Sequence, residues 1–289
     1  MVWETCEGLL LCPVCREPLR QVGHTIRCPQ SHSFDLARQG YVHLLLADGK
    51  LPEILGDAKE MVRARHRFLT SGAYDPLSER INRTVLWHVE ERGMVERTLN
   101  LLDVGCGEGT YLSRLQAFLA ERLEIPLCVY GMDIAKEAVR MAARDHGGIH
   151  FFVASVRRRL LFPDDSIDVL LNVFAPRDPD EFNRVLDPEG ILVVAIPGPD
   201  HLAGLREEFE LLDLEEDKEK GVVEQFGPHF PNVERHPVVY ALELSGDRVR
   251  DLVRMTPNYW HLSKATWQSL DKVDRRRIWV EFTILTFRR

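Results

Sequence analysis

The chain has 289 residues, 45% hydrophobic and 28% charged, enough to bury a sizeable core and leave room for a second, small unit. No apolar run reaches the roughly 18 residues of a membrane span, and the opening MVWETCEGLLLCPV lacks the basic start and cleavage site of a secretory signal, so a cytoplasmic protein without membrane segments is expected. The formal charge of −8 is local: residues 207–224 hold nine acidic against two basic side chains, and the remainder is nearly neutral, so a basic, RNA-facing surface is not excluded.

In chain order, the first informative stretch is CPVCREPLRQVGHTIRCPQSH, Cys12 to His32, which gathers three of the six cysteines and a histidine. The spacing is Cys12-x2-Cys15, then Cys28-x3-His32. Two close pairs on two short turns joined by a hairpin supply the four donors that zinc takes in a tetrahedron. Each pair begins Cys-Pro and no amphipathic helical repeat surrounds His32, so the pairs read as knuckles with GHTIR as a strand between them. In a reducing compartment such a cluster is expected to hold metal and not to form disulfides. With four protein ligands and no vacant position the site is expected to be structural, its zinc supplying folding energy that so short a segment cannot draw from a core. Free thiols beside a surface histidine are the bland alternative, and Cys6 and His24 are substitute ligands.

From about Phe34 to Glu60 the chain reads as a connector, with ADGKLPEILGDAKE rich in turn formers and charge. AKEMVRARHRFL then carries apolar positions at helical spacing, and TSGAYDPL ends it with Gly72 and Pro76. Arg63, Arg65 and Arg67 on that helix fit phosphate contacts or a solvated face equally well. In LNLLDVGCGEGTYLSRL an apolar strand, Leu99–Val104, runs into Gly105, Gly107 and Gly109, and an amphipathic helix begins near Glu108. Glycines at this turn let a ligand approach the backbone where a β-carbon would collide, or serve only the turn itself. Cys106 between them reads as a small residue that fits, not a nucleophile. The spacing Gly-x-Gly-x-Gly differs from the dinucleotide fingerprint Gly-x-Gly-x-x-Gly. A second strand, Leu127 to Met132, ends in Asp133, where a carboxylate accepts hydrogen bonds from both hydroxyls of a ribose; a strand-end turn residue is the bland reading. HFFVASV, IDVLLNVFAP and ILVVAIPGP, separated by segments such as DPDEFNRVLDPEG, then imply a parallel sheet with helices on both faces and ligands at the carboxyl ends of its strands. Arg157, Arg158 and Arg159, just after the third strand, form a basic run suited to phosphate.

LLDVGCGEG, with an acidic residue before the first glycine and another ending the second strand, resembles the S-adenosylmethionine-dependent class I methyltransferases. VLDPEGILVVAIP resembles the approach to their fifth strand, and VVYALEL with VEFTILTF their closing antiparallel pair. Over nearly its full length the chain is similar to the RlmA-type guanine-N1 methyltransferases of large-subunit ribosomal RNA. CPVCREPL and CPQSHSFDLARQGYVHLL match their zinc finger and its exit, GDAKEMVRARHRFLTSGAYDPL their connector helix, and LDVGCGEGTY their cofactor loop. NVFAP matches the turn after strand four, PGPDHL the turn after strand five, and Met255 to Trp260 the late motif MTP-x-x-W; departures gather in 207–224.

The resemblance implies an α/β fold: a class I methyltransferase Rossmann-like doubly wound sheet behind a small N-terminal zinc-ribbon-like domain. The divisions are a zinc-binding finger (1–40), a connector and helical segment (41–98) and a methyltransferase domain (99–289). Carried over by position, Cys12, Cys15, Cys28 and His32 bind Zn2+, while Tyr74, Gly107, Glu108, Asp133 and His201, with Gly105, contact S-adenosylmethionine. On the residues alone, Tyr74 reads as a helix-end packing tyrosine and His201 as a surface histidine. The implied activity is methyl transfer to N1 of a guanine in a domain II hairpin of 23S rRNA, with that rRNA as partner and a homodimer as the assembly. In the NVFAP turn Asn172 is placed to hydrogen-bond the base and Phe174 to stack on it, with core packing as the alternative for Phe174. Two other classes stay open: a methyltransferase acting on a small molecule or another RNA, and a non-catalytic zinc-ribbon RNA-binding module with a relic cofactor fold.

Overall fold

The structure is a computed structural model that describes Cys6 and residues 8–46, 56–215 and 217–289. Its first unit is a three-stranded antiparallel sheet, β1 (Arg20–Val22), β2 (Thr25–Arg27) and β3 (Ser33–Asp35), with β2 central. GHTIR thus supplies a strand, as its placement between the two ligand pairs predicts.

The second unit is an eight-stranded sheet. Its strands are β4 (Val42–His43), β5 (Leu99–Val104), β6 (Leu127–Asp133), β7 (His150–Val153), β8 (Ile167–Val173), β9 (Leu186–Pro197), β10 (Asn232–Ser245) and β11 (Arg275–Arg288), in the order β10-β11-β9-β8-β5-β6-β7-β4. Strands β4 to β9 run parallel, while β11 is antiparallel to both β9 and β10. The sheet is therefore doubly wound and closed by an antiparallel pair. β8 is buried at every position and β5 at all but one, as parallel strands covered on both faces must be. Side chains alternate between faces along each strand, so Leu101, Val129 and Phe151 join one apolar layer, and Leu102, Tyr130 and Phe152 the other.

The first layer is covered by α1 (Lys59–Leu69), α2 (Asp75–Glu91), α3 (Thr110–Ala120), α4 (Lys136–Asp145) and, beyond β10, α8 (Gly246–Arg254). The second is covered by α5 (Pro179–Val185), α7 (Lys218–Phe226) and the ribbon, which contributes Leu10, Leu19 and Ile26. Short helices α6 (Ala203–Phe209), α9 (Asn258–His261) and α10 (Lys264–Leu270) complete the set. α5 starts where Asp178 accepts a hydrogen bond from the Glu181 amide, with Pro179 opening the first turn.

The stretch read as a connector behaves differently from its composition. Val42 and His43 pair with Phe152 and Val153, and the Leu44 amide donates to the Val153 carbonyl at 3.0 Å, so the exit of the ribbon is an edge strand of the main sheet. Two residues are too few to show a strand period. Residues 47–55, which hold most of the connector signal, lie outside the described residues. The ribbon is also fixed by hydrogen bonds from the Leu11 amide to the Leu161 carbonyl (2.8 Å) and from Arg16 Nη2 to the Leu160 carbonyl (2.7 Å), and by a disulfide from Cys6 to Cys128 on β6. Cys6 is thereby withdrawn as a substitute metal ligand, and His24 is exposed on the hairpin turn. Among the described residues, no helix is long and apolar enough to cross a membrane.

Candidate methyl-transfer and metal sites

Cys12, Cys15, Cys28 and His32 bring their ligand atoms within 4.8 Å of one another. Cys15 Sγ lies 3.5 Å from Cys28 Sγ, and His32 Nδ1 lies 3.3 Å from Cys28 Sγ and 3.7 Å from Cys12 Sγ. Bonds of about 2.3 Å to sulfur and about 2.0 Å to nitrogen put tetrahedral ligands about 3.5–3.8 Å apart. Three thiolates and an imidazole at that spacing fit zinc in both geometry and softness.

The second site forms where β5 turns into α3. Gly105 has φ +86°, and a β-carbon there would stand 2.3 Å from that of Ala175, so only glycine lets the NVFAP turn close over this loop. Gly107, at φ +57°, donates its amide to Asp133 Oδ2 at 2.9 Å; Asp133 Oδ1 accepts the Ala135 amide at 2.8 Å. Both carboxylate oxygens are thus held by backbone, each with a lone pair left for a hydroxyl.

Around this turn the chain buries polar atoms without giving them partners. Asp103 Oδ1, Glu108 Oε2, the Tyr111 hydroxyl and Asn172 Oδ1 have no hydrogen-bond partner among the described residues. Burial pushes the Asp103 carboxyl well above its usual range, and it raises Glu108 and Asp133 too, although Arg65 pulls those two back. Two buried carboxyls, Asp103 and Glu108, and the half-buried Asp133 form a cradle that a cationic ligand would return to the charged state. Cys106 is buried and its thiol is pushed well up by desolvation, so it is not a nucleophile.

An aromatic wall stands beside the cradle. The Tyr74 ring meets Phe282 edge-on at 4.8 Å and Phe68 at 4.9 Å, and its hydroxyl lies 3.5 Å from His201 Nε2. The Glu281 amide donates to His201 Nδ1 at 3.3 Å, so the neutral ring carries its proton on Nε2, facing the phenol. Burial lowers His201 to about 4, which keeps it neutral at ordinary pH. The wall continues through Phe282 to Phe174, 5.3 Å away, and from Phe174 to Tyr111. Phe174 is 42% exposed and takes φ +54°, a left-handed conformation that a bulky residue holds only under tertiary constraint. Asn172 is fully buried, and its Nδ2 donates to the Val104 and Pro176 carbonyls, both at 3.0 Å, so the amide braces the turn against β5.

A family profile described as "RlmA, N-terminal", a zinc ribbon, matches residues 10–51, and a methyltransferase-domain profile matches residues 101–190. The chain is 38% identical over 267 residues to the 23S rRNA (guanine(748)-N(1))-methyltransferase of Streptomyces fradiae, covering 92% of this chain and 89% of that one. The chain belongs to the RlmA family. YxjB of Bacillus subtilis is 29% identical over 284 residues, 96% of each chain. Among solved structures, a TehB-like SAM-dependent methyltransferase from Corynebacterium glutamicum aligns with 80% of this chain and 97% of its own, at 14% identity and a TM-score of 0.44.

For an RlmA-family protein the cofactor is S-adenosylmethionine, and the residues present fit it: two positive-φ glycines that leave room for close approach, a carboxylate at the end of β6 with lone pairs to spare, and acidic oxygens without partners among the described residues. The fold gathers Gly105, Gly107, Glu108 and Asp133 at the carboxyl ends of β5 and β6, and it sets Tyr74 against His201, 127 residues apart in sequence. Arg157 and Arg159 are exposed beyond β7, on the ribbon side. Arg158 and Arg159, but not Arg157, line a cavity of about 310 Å³ whose lining includes Pro13 and Arg16 of the ribbon and Leu44, Met132 and Leu161 of the core.

The helical arginines depart from the reading as a phosphate-binding run. Arg67 makes a fork of hydrogen bonds to Asp251, and Arg65 pairs with Asp57, which leaves Arg63 facing outward. The acidic stretch likewise has a structural use: Glu208 pairs with Arg276, and Glu219 with Arg235, both on the closing strand pair. Arg65 and Phe282 were not singled out for the site. A helical wheel marks Arg65, because it falls in the stripe of Met61, Phe68 and Leu69, but nothing local marks Phe282.

Proposed function

We propose that this RlmA-family chain methylates N1 of a guanine in a domain II hairpin of 23S rRNA. The observation that carries the reading is the fusion, in one chain, of a Cys3His ribbon and a methyltransferase cradle joined by a strand of the main sheet. A methyltransferase of free nucleotides would need only the cradle, whereas a base inside a hairpin must be located, gripped by its backbone and turned out. The 38% identity to a relative named for guanine-N1 methylation supports the same substrate.

Bound S-adenosylmethionine supplies an electrophilic methyl group on sulfur. The residues of the chain bind and position both reactants, and the proton displaced from guanine N1 leaves to solvent. Asp133 takes the ribose hydroxyls, and the Gly105–Gly109 turn follows the cofactor backbone. The wall of Tyr74, His201 and Phe282 excludes water, while Phe174 presents its exposed face for the guanine to stack on. Asn172 acts through the turn it braces. In this division of labour residues 1–40, with Arg157, Arg158 and Arg159, hold RNA phosphates, 41–98 roof the cofactor, and 99–289 carry the reaction. A homodimer working in the cytoplasm completes the proposal.

The test is methylation of a domain II hairpin by the purified, zinc-loaded chain, with the product located by mass spectrometry. N1-methylguanine is expected, and methylation at any other position would overturn the assignment. Phe174→Ala should cut turnover roughly 5- to 150-fold, the scale of a stacking contact of about 1–3 kcal/mol, while leaving cofactor affinity intact. Sedimentation of the same sample reports the dimer.

A further inference from the structure

Arg65 borders the cradle without a role assigned to it so far, and its position is specific. It lies on the inward stripe of α1, and its Nη2 donates to the Met255 carbonyl at 3.1 Å and pairs with Asp57. The other terminal nitrogen, Nη1, has no hydrogen-bond partner among the described residues. It sits over the cofactor turn: a β-carbon on Gly107 would lie 3.5 Å from it. Asp57, Glu108 and Asp133 all act on its charge, so the guanidinium stands in an acidic surround.

The ligand of this cradle is itself of mixed charge. Its sulfonium and ammonium groups suit buried carboxyls, but its α-carboxylate would be repelled by them unless a cation stood in their midst. Among the described residues Arg65 is the cation over the glycine turn. Its planar fork, with Nη1 unused, matches a carboxylate as no lysine would. We propose that Arg65 holds the carboxylate of the cofactor's amino-acid arm. This deepens the cofactor reading and rests on it. The hydrogen bond to Met255 fixes the guanidinium from behind and ties the cofactor arm to the MTP-x-x-W segment.

Calorimetry of the full-length, zinc-loaded chain with two ligands separates this role from a merely structural one. S-adenosylhomocysteine carries the amino-acid arm, and 5′-methylthioadenosine lacks it. In Arg65→Gln, affinity for the first should fall roughly 10- to 100-fold, as for a lost charge-assisted pair, and affinity for the second should be unchanged. Arg65→Lys, which keeps the charge without the fork, should fall between, and it carries the test if the glutamine variant does not fold. Equal weakening of both ligands, or unchanged affinity for S-adenosylhomocysteine, would overturn the role of Arg65 alone. Failure of the unsubstituted chain to bind S-adenosylhomocysteine would remove the cofactor site and this role with it.

Discussion

The ribbon keeps its shape around four ligand atoms that lie within 4.8 Å of one another, whereas the cradle keeps its shape through a sheet buried on both faces. The ribbon's strands are three residues long and bury Ile26 alone, so within the ribbon the ligand cluster is the main source of order, while Leu10, Leu19 and the Cys6–Cys128 bond anchor it to the core. The cradle has the opposite economy, with many apolar contacts supporting a few unpaired acids. Damage should therefore be all-or-none in the ribbon and graded in the cradle.

The largest effect tests the first half of that contrast. Cys12→Ser should abolish the one zinc per chain found by elemental analysis and unfold the ribbon, since structural zinc sites contribute about 10–16 kcal/mol. Cofactor affinity, read by calorimetry, should survive. Retention of an ordered ribbon without metal would break the contrast. Deleting residues 1–40 is a coarser probe, because it strips Leu10, Leu19 and Ile26 from the apolar layer over β6 and β7.

The graded response comes next. Asp133→Ala should weaken S-adenosylmethionine by about 1.5–3 kcal/mol, the range for hydrogen bonds to a charged acceptor, with the fold intact. Normal affinity in that variant would place the ribose elsewhere. Acid should reach both apolar layers alike, because His201 in the first and His150, stacked on Tyr130 in the second, are each lowered by burial to about 4. Below the unfolded histidine value of about 6.5 the unfolded chain takes up protons that the folded chain refuses, so stability is lost as pH falls from about 6.5 toward 4. Each histidine contributes on the order of 1–3 kcal/mol, and His201→Gln should flatten the dependence of the urea midpoint on pH by its share. An unaltered slope would show that His201 is not buried as described. The smallest effect concerns the ribbon side. Arg159→Ala should lower the salt slope of RNA binding by about 1 while leaving cofactor affinity alone, and an unchanged slope would take Arg159 off the RNA.

The parts legible in the sequence are those whose chemistry is local. Cys12 to His32 declares itself through spacing, and the β5 turn through three glycines after an apolar run. Asp133 follows from its place at the end of the next strand. Tyr74 and His201 meet only because α2 and the turn after β9 converge on β11, a relation no window of sequence contains; family resemblance named them, and their contact came from the fold. Three arginines at alternate positions look like one basic run, whereas a helix turns about 100° per residue, so Arg63 and Arg67 share a face and Arg65 points to the opposite one. The β4 strand and the Cys6–Cys128 bond were hidden for the same reason as the Tyr74 contact: their partners lie over a hundred residues away.

The pairing of β4 with β7 has a mechanical consequence. A finger on a loose tether would have to lose its freedom each time it met a hairpin, and that ordering would subtract from affinity on every encounter. Here the chain leaves the ribbon as a strand of the main sheet, so the distance from the metal knuckles to the Phe174 turn is set when the protein folds. On the proposed division of labour the enzyme works as a caliper of one fixed opening: a hairpin whose stem is lengthened by a base pair should bind through its phosphates but go unmethylated, its guanine out of step with the jaw.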